Sequence, residues 1–295
     1  MIDGLSLKIG NCSENDACVV LTSQQDSAIA EISGFLRGPF CDYSKTLTAD
    51  FSLRKLPGAQ HGANSVEALV MEPCYWTPSL PFIYELHLIL KMVDGTTVNS
   101  TLLTGIKRFS CQRDNLRLEG KRIVLRGLRC RSLDEQVLQA ARAHETALLV
   151  HKPVPAMCEL ASRAGVPLIV DLRESSDPLQ TMAGKLDWCP AVCVVLLGVD
   201  QLAEIGEEWN TLQHSCVAVT ASAHSTATEI SKVNYQALAL ELAPGERPPA
   251  WTAKIDKPVI AISSGPEATI PEARKRCDRW QAELAPEFDL AGYLV

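Results

Sequence analysis

Apolar and polar positions alternate through the first third of the chain in short runs, divided by polar or Gly/Pro-rich turns; this is the period of half-buried strands. Runs of this kind occupy 17–22, 28–35, 46–54, 64–71, 82–92, 96–103 and 105–110. Their length and spacing predict an antiparallel sandwich. Asp94-Gly95, between Met92 and Thr96, marks a hairpin, because glycine accepts the positive φ that a type I′ turn requires. Prolines at 73, 78 and 81 cannot donate to a sheet ladder, so residues 72–81 form an edge-like connection leading into the alternating strand 82–90.

After residue 120 the pattern changes to short, nearly continuous apolar runs separated by helical periodicity, as buried parallel strands with crossover helices read. The runs are 122–128, 146–150, 167–172, 191–197, 216–220, 236–242, 258–263 and 290–295. Eight such strands close a barrel. Ser132 with Glu135, and Thr269 with Glu272 and Pro271, predict helix starts by the capping-box pattern. The Pro-rich crossover at 243–250 predicts little helix.

A chain of 295 residues has room for two domains, and 46% hydrophobic content is that of an ordinary soluble globular protein. No apolar run approaches the roughly 20 residues needed to span a bilayer, and the first residues lack the basic flank and apolar core of a secretory leader. No membrane partner is expected, and a cytoplasmic location follows. The net charge of −7 is spread without a basic block, which excludes nucleic acid as the natural partner. Eleven cysteines form no Cys-x-x-Cys pair, and Cys189 with Cys193 lacks a second pair or a His cluster. Reduced, buried thiols are expected, with no metal and no other cofactor.

Two segments carry a more specific signal. The first places Trp76, Pro78, Pro81 and Tyr84 ahead of a strand; the second places Gly105, Phe109, Gly120, Lys121, Leu125, Arg126 and Gly127 around the start of the apolar runs. Together they resemble the junction in glycoside hydrolase family 2, the β-galactosidase and β-glucuronidase family, where an immunoglobulin-like sandwich hands over to a TIM barrel. The resemblance implies an immunoglobulin-like β-sandwich over 1–113, followed by a compact (β/α)8 TIM barrel over 114–295. That barrel would hold about 180 residues against roughly 250 in a typical one, so its βα loops must be short. A counterpart of the family's N-terminal sugar-binding jelly roll is not expected.

The family hydrolyses glycosides with two glutamates at the barrel mouth, and a retaining enzyme holds such carboxyls about 5 to 5.5 Å apart. By the resemblance, Asp200 stands at the acid/base position after the fourth strand, with Val199 in place of the asparagine before it. Ser263, in the segment from Lys257-Pro258 to Gly265, stands at the nucleophile position. Serine carries no charge at neutral pH and cannot stabilise an oxocarbenium-like centre as a carboxylate does. His151, from Val150-His151-Lys152-Pro153, resembles a family His-x-Pro turn, and Asp171 and Glu241 end the third and sixth strands. With Val199, these three form the candidate binding set.

The residues themselves allow blander roles. Asp200 can cap the helix beginning DQLAEIGEEW, and Asp171 and Glu241 can pair with Arg126, Arg129, Lys152 or Arg173. A new carboxylate pair, or a metal site with His151, remains open. Ser263 has no Gly-x-Ser-x-Gly elbow, and of His61, His87, His144, His151, His214 and His224 only His151 ends a barrel strand. Trp188 precedes the fourth strand on the side away from the mouth, while Trp209, Trp251 and Trp280 suit helix packing, which leaves no aromatic platform at the mouth. The resulting expectation is a catalytically degenerate family 2 relative acting as a carbohydrate- or protein-binding module. The alternative is an active O-glycosyl hydrolase using Asp200 with a non-standard second carboxylate.

Overall fold

The computed structural model describes residues 4–23, 27–56, 64–175, 186, 188–205, 215–266 and 268–295. Two antiparallel four-stranded sheets hold the first part. One contains β1 (Leu5–Cys12), β2 (Asp16–Ser23), β5 (Arg54–Lys55) and β6 (Ser65–Met71) in the order β1-β2-β6-β5. The other contains β3 (Ile29–Phe40), β4 (Ala49–Ser52), β7 (Ile83–Met92) and β8 (Thr97–Thr104) in the order β4-β3-β7-β8. Alternate residues of the two sheets, among them Leu7, Val19, Leu21, Val66, Leu86, Leu88 and Leu90, share one buried cluster. Period 2 thus puts one face of each strand in the core.

Strand β1 escaped the hydrophobic pattern, because Leu5, Leu7 and Ile9 are only three apolar positions before the polar stretch around Asn15. Of Asp94 and Gly95 only Gly95 takes a positive φ, 86°, so the hairpin is not of type I′. Gly34 is obligatory for a different reason: a Cβ there would lie 1.9 Å from the carbonyl oxygen of His87.

A small antiparallel meander follows, made of β9 (Phe109–Gln112), β10 (Asn115–Leu118) and β11 (Lys121–Ile123). It lies across residue 113. Because 121–123 pair with β10, the first barrel strand begins only at Leu125, later than its apolar run. Residues 105–108 are not strand either. Lys107 is instead buried, donating from Nζ to the carbonyl of Val192 at 2.6 Å.

Eight parallel strands then close into a barrel. They are β12 (Leu125–Cys130), β13 (Ala147–His151), β14 (Leu168–Asp171), β15 (Val192–Leu197), β16 (Cys216–Ser222), β17 (Ala237–Leu242), β18 (Val259–Ser263) and β19 (Gly292–Leu294). Closure comes from pairing of β12 with β19. The described helices are α1 (Glu135–Ala143), α2 (Pro155–Ala164), α3 (Val199–Ile205), the single turn α4 (Ala227–Ile230) and α5 (Ile270–Leu284), with a 3-10 turn at Ala250–Lys254. Most are short, so strands dominate this barrel. None is long and apolar enough to cross a membrane.

Helix α1 is capped by Asp134, whose Oδ1 accepts from Val137 N at 2.8 Å, and not by Ser132. At α5 the expected partners do meet, Glu272 accepting from Thr269 N at 3.0 Å. The proline segment forms the seam between the two four-stranded sheets and the barrel. Trp76 is fully buried and donates from Nε1 to Ser162 O in α2 at 2.8 Å, while Arg142 of α1 donates to Pro78 O and Ser79 O at 2.6 and 2.9 Å.

Trp280 packs edge-on against Tyr293, and Trp251 donates to Ser225 O. Trp188 is buried in the cluster shared by the two four-stranded sheets. Trp209, His61 and His214 lie outside the described residues. All eleven cysteines are free thiols, and only Cys158, Cys189, Cys193, Cys216 and Cys277 are fully buried.

Candidate functional site: the barrel mouth

Parallel strands in a closed barrel all deliver their C-terminal ends to one rim, and the register fixes which residues share it. His151 at the end of β13 stands beside Asp171 at the end of β14, while Glu241 of β17 stands beside Ile262 of β18. Ser263 follows, next to Leu242. Val199 and Asp200 open α3 just beyond β15.

Arg173, two residues past β14, organises this rim. Its Nε and Nη2 donate to Asp171 Oδ1 and Oδ2 at 2.9 and 2.7 Å, a two-pronged pairing, and its backbone N donates to Oδ1 at 3.1 Å. The remaining prong, Nη1, donates to Glu241 Oε1 at 2.9 Å. Asp171 belongs to the third strand of the barrel and Glu241 to the sixth. The guanidinium therefore reaches across the mouth and ties its two sides together. His151 Nδ1 adds a contact to Asp171 Oδ2 at 3.2 Å from the solvent side.

The electrostatics follow from burial. The Asp171 side chain is 2% exposed, and desolvation pushes its carboxyl toward the neutral form. The hydrogen bonds and charge of Arg173, with a further contribution from His151, outweigh that and hold the carboxyl below its ordinary value. Arg173 is held more firmly protonated in return, chiefly by its hydrogen bonds to Asp171. An ionised carboxylate locked in this way cannot deliver a proton near neutral pH.

The other positions singled out from the sequence, Asp200, Val199 and Ser263, are not drawn into this network. Asp200 sits in the first turn of α3, exposed, without a hydrogen bond or ion pair to a described residue. It does not cap that turn: Gln201 does, its Oε1 accepting from Gly198 N at 2.9 Å while its Nε2 donates to Leu172 O at 3.2 Å. With the helix beginning at Val199, Asp200 lies two positions past the N-cap and cannot accept the bond an N-cap residue would. The hydroxyl of Ser263 is engaged locally, accepting from Gly265 N at 3.1 Å. Val199 is half-buried against the barrel cluster.

Thus His151, Asp171 and Glu241 are brought together through Arg173, whereas Asp200, Val199 and Ser263 stand apart from them. Among the described residues no group of three or more His, Cys, Asp or Glu side chains could hold a metal ion. Two cavities open at the opposite end of the barrel. One of 550 Å³ is bordered by Leu125, Ala147, Pro167, Arg142 and Arg274, and one of 360 Å³ by Cys111, Cys216, Gln236 and Lys257.

No protein-family model matches this chain, and no curated protein matches it. Among solved structures it is similar to the β-glucuronidase of Parabacteroides merdae, with TM-score 0.67 and 11% identity over all of this chain and 47% of that one. It is also similar to Bacteroides uniformis β-glucuronidase 2 covalently bound to cyclophellitol-6-carboxylate aziridine, with TM-score 0.65 and 15% identity over 99% of this chain and 45% of that one. The β-glucuronidase of Lactobacillus rhamnosus gives TM-score 0.64 and 14% identity over 99% and 60%. At such identities the likeness establishes the fold. The chain spans 45% to 60% of the length of these proteins.

Proposed function

We propose that this chain is a catalytically degenerate relative of family 2 glycoside hydrolases, acting as a carbohydrate- or protein-binding module. The observation that carries the reading is Arg173 stretched between Asp171 and Glu241. Hydrolysis with retention requires one carboxylate free to attack and a second poised to give up a proton. Here the two acids at the rim are both committed to one guanidinium. The family's own positions offer a serine and an unsupported aspartate.

The architecture is read in the same terms. Labelled along the chain, the two sheets have the order A-B-E-D and C′-C-F-G, the arrangement of an immunoglobulin-like sandwich. Tyr84 near the start of β7 accepts from Cys74 N at 2.9 Å, in the manner of the tyrosine corner of such sandwiches. A boundary near residue 113 then separates this sandwich from a reduced TIM-type barrel. What survives at the mouth is a polar rim of His151, Arg173 and Glu241 over the buried Asp171, its exposed groups able to exchange hydrogen bonds with sugar hydroxyls or a polar peptide.

Covalent labelling tests this reading. Incubation with cyclophellitol-6-carboxylate aziridine, the compound found bound to the Bacteroides uniformis enzyme, leaves the intact mass of this chain unchanged if no nucleophile is in place. A single adduct mapped to Asp171, Asp200, Glu241 or Ser263 would overturn it.

A further inference from the structure

The two sandwich sheets have four edge strands, and natural sheets guard their edges with short length, charge, proline or bulges. Strand β5 is two residues long and reads Arg54-Lys55. Strand β4 is four residues long and carries Asp50, ion-paired to Arg37. Strand β1 carries exposed Lys8 and a register irregularity between Ile9 and Cys12. Strand β8, Thr-Val-Asn-Ser-Thr-Leu-Leu-Thr from Thr97 to Thr104, has none of these protections. It is eight residues long, uncharged, and pairs with β7 in unbroken register from Tyr84↔Thr104 to Lys91↔Thr97.

The free side of β8 can be specified residue by residue. The carbonyl of Ile89 faces β3, where it accepts from Ser33 Oγ at 3.2 Å, so Ile89 and its partner Asn99 are not hydrogen-bonded to each other. By the alternation of an antiparallel ladder, Thr97, Asn99, Thr101 and Leu103 turn their backbone N–H and C=O outward, away from β7. The stretch 97–101 is largely exposed, and three of the exposed large apolar side chains, Ile89, Val93 and Val98, sit on the same hairpin.

We infer that β8 is an interface strand whose partner is a second copy of this chain, added antiparallel so that two four-stranded sheets become one of eight. An antiparallel edge is its own complement under a two-fold axis, each strand meeting the same residues in reverse order. Charged edges would set like charges face to face in such a pair. This one sets threonine and asparagine against themselves, with Lys91 and Asp94 the only charges between His87 and Thr104. Of the exposed apolar side chains, Val98 is on the seam strand itself and loses water when the seam closes.

Sedimentation equilibrium of the full chain across a wide concentration range, together with Asn99→Lys and Thr101→Lys variants, decides the matter. Both side chains are exposed, so the variants keep the native circular dichroism; with the two-fold at Asn99, Asn99→Lys faces its own copy and Thr101→Lys faces Thr97 of the other strand, each adding like charge to the seam. The wild type is expected to show a monomer–dimer equilibrium, weakened at least about tenfold in each variant. In the wild type, amide exchange at Thr97, Asn99 and Thr101 should slow as concentration rises. A chain that stays monomeric throughout, or a dimer indifferent to both lysines, overturns the inference.

Discussion

Arg173 and Asp171 are joined by two parallel hydrogen bonds of 2.9 and 2.7 Å at the barrel mouth, on a carboxylate whose side chain is 2% exposed. A charge so placed is tolerated because its partner is fixed beside it. Removing only the partner leaves the charge buried. Arg173→Met is therefore expected to lower stability by about 3 kcal/mol, read as a shift of the urea midpoint at neutral pH. A change below a few tenths would mean the pair is solvated.

The same pair sets a pH dependence. Asp171 is held below its ordinary value when folded, so its contribution is complete above the unfolded carboxylate pKa and is lost as pH falls through the lower folded one. Urea midpoints measured from neutral pH into acid should fall more steeply for the wild type than for Asp171→Asn. The two curves should run parallel above about pH 5. Divergence only above neutrality would contradict the assignment.

Tyr84 is fully buried, and its hydroxyl satisfies the backbone N–H of Cys74 at 2.9 Å. Tyr84→Phe leaves that donor unpaired and should cost about 1 to 2 kcal/mol. Thermal unfolding followed by near-ultraviolet circular dichroism checks it, and an unchanged midpoint would show that water replaces the hydroxyl.

Gly127 lies in β12 where the neighbouring strand passes unusually close: a Cβ would sit 2.3 Å from Ala147 O and 2.9 Å from Leu294 Cδ2. Gly127→Ala is expected to destabilise by about 1 to 3 kcal/mol, with the loss appearing in denaturant midpoints. Gly120→Ala, where nothing lies within 4 Å, tests φ alone at 72° and should cost less.

The barrel was the most legible part of the sequence, because strands buried on both faces, such as Leu168–Asp171 and Val192–Leu197, read as unbroken apolar runs. Boundaries suffered where a neighbouring hairpin competes for the same residues. Residues 121–123 look like the start of β12, yet pair with β10. The capping-box spacing of Ser132 to Glu135 placed the helix start there, but Asp134, an equally good cap two residues on, takes the bond. Asp171, Glu241 and His151 were identifiable as strand ends. That one arginine would cross from Asp171 to Glu241 was not, because the crossing exists only once strands three places apart are brought round the same rim.

Turnover of aryl β-glycosides, a glucuronide and a galactoside among them, tests the central claim most directly. The wild type, Asp200→Ala and Glu241→Gln should all release the aryl alcohol at the uncatalysed rate. Turnover by the wild type that either substitution abolishes would mean that this mouth still cleaves a glycosidic bond.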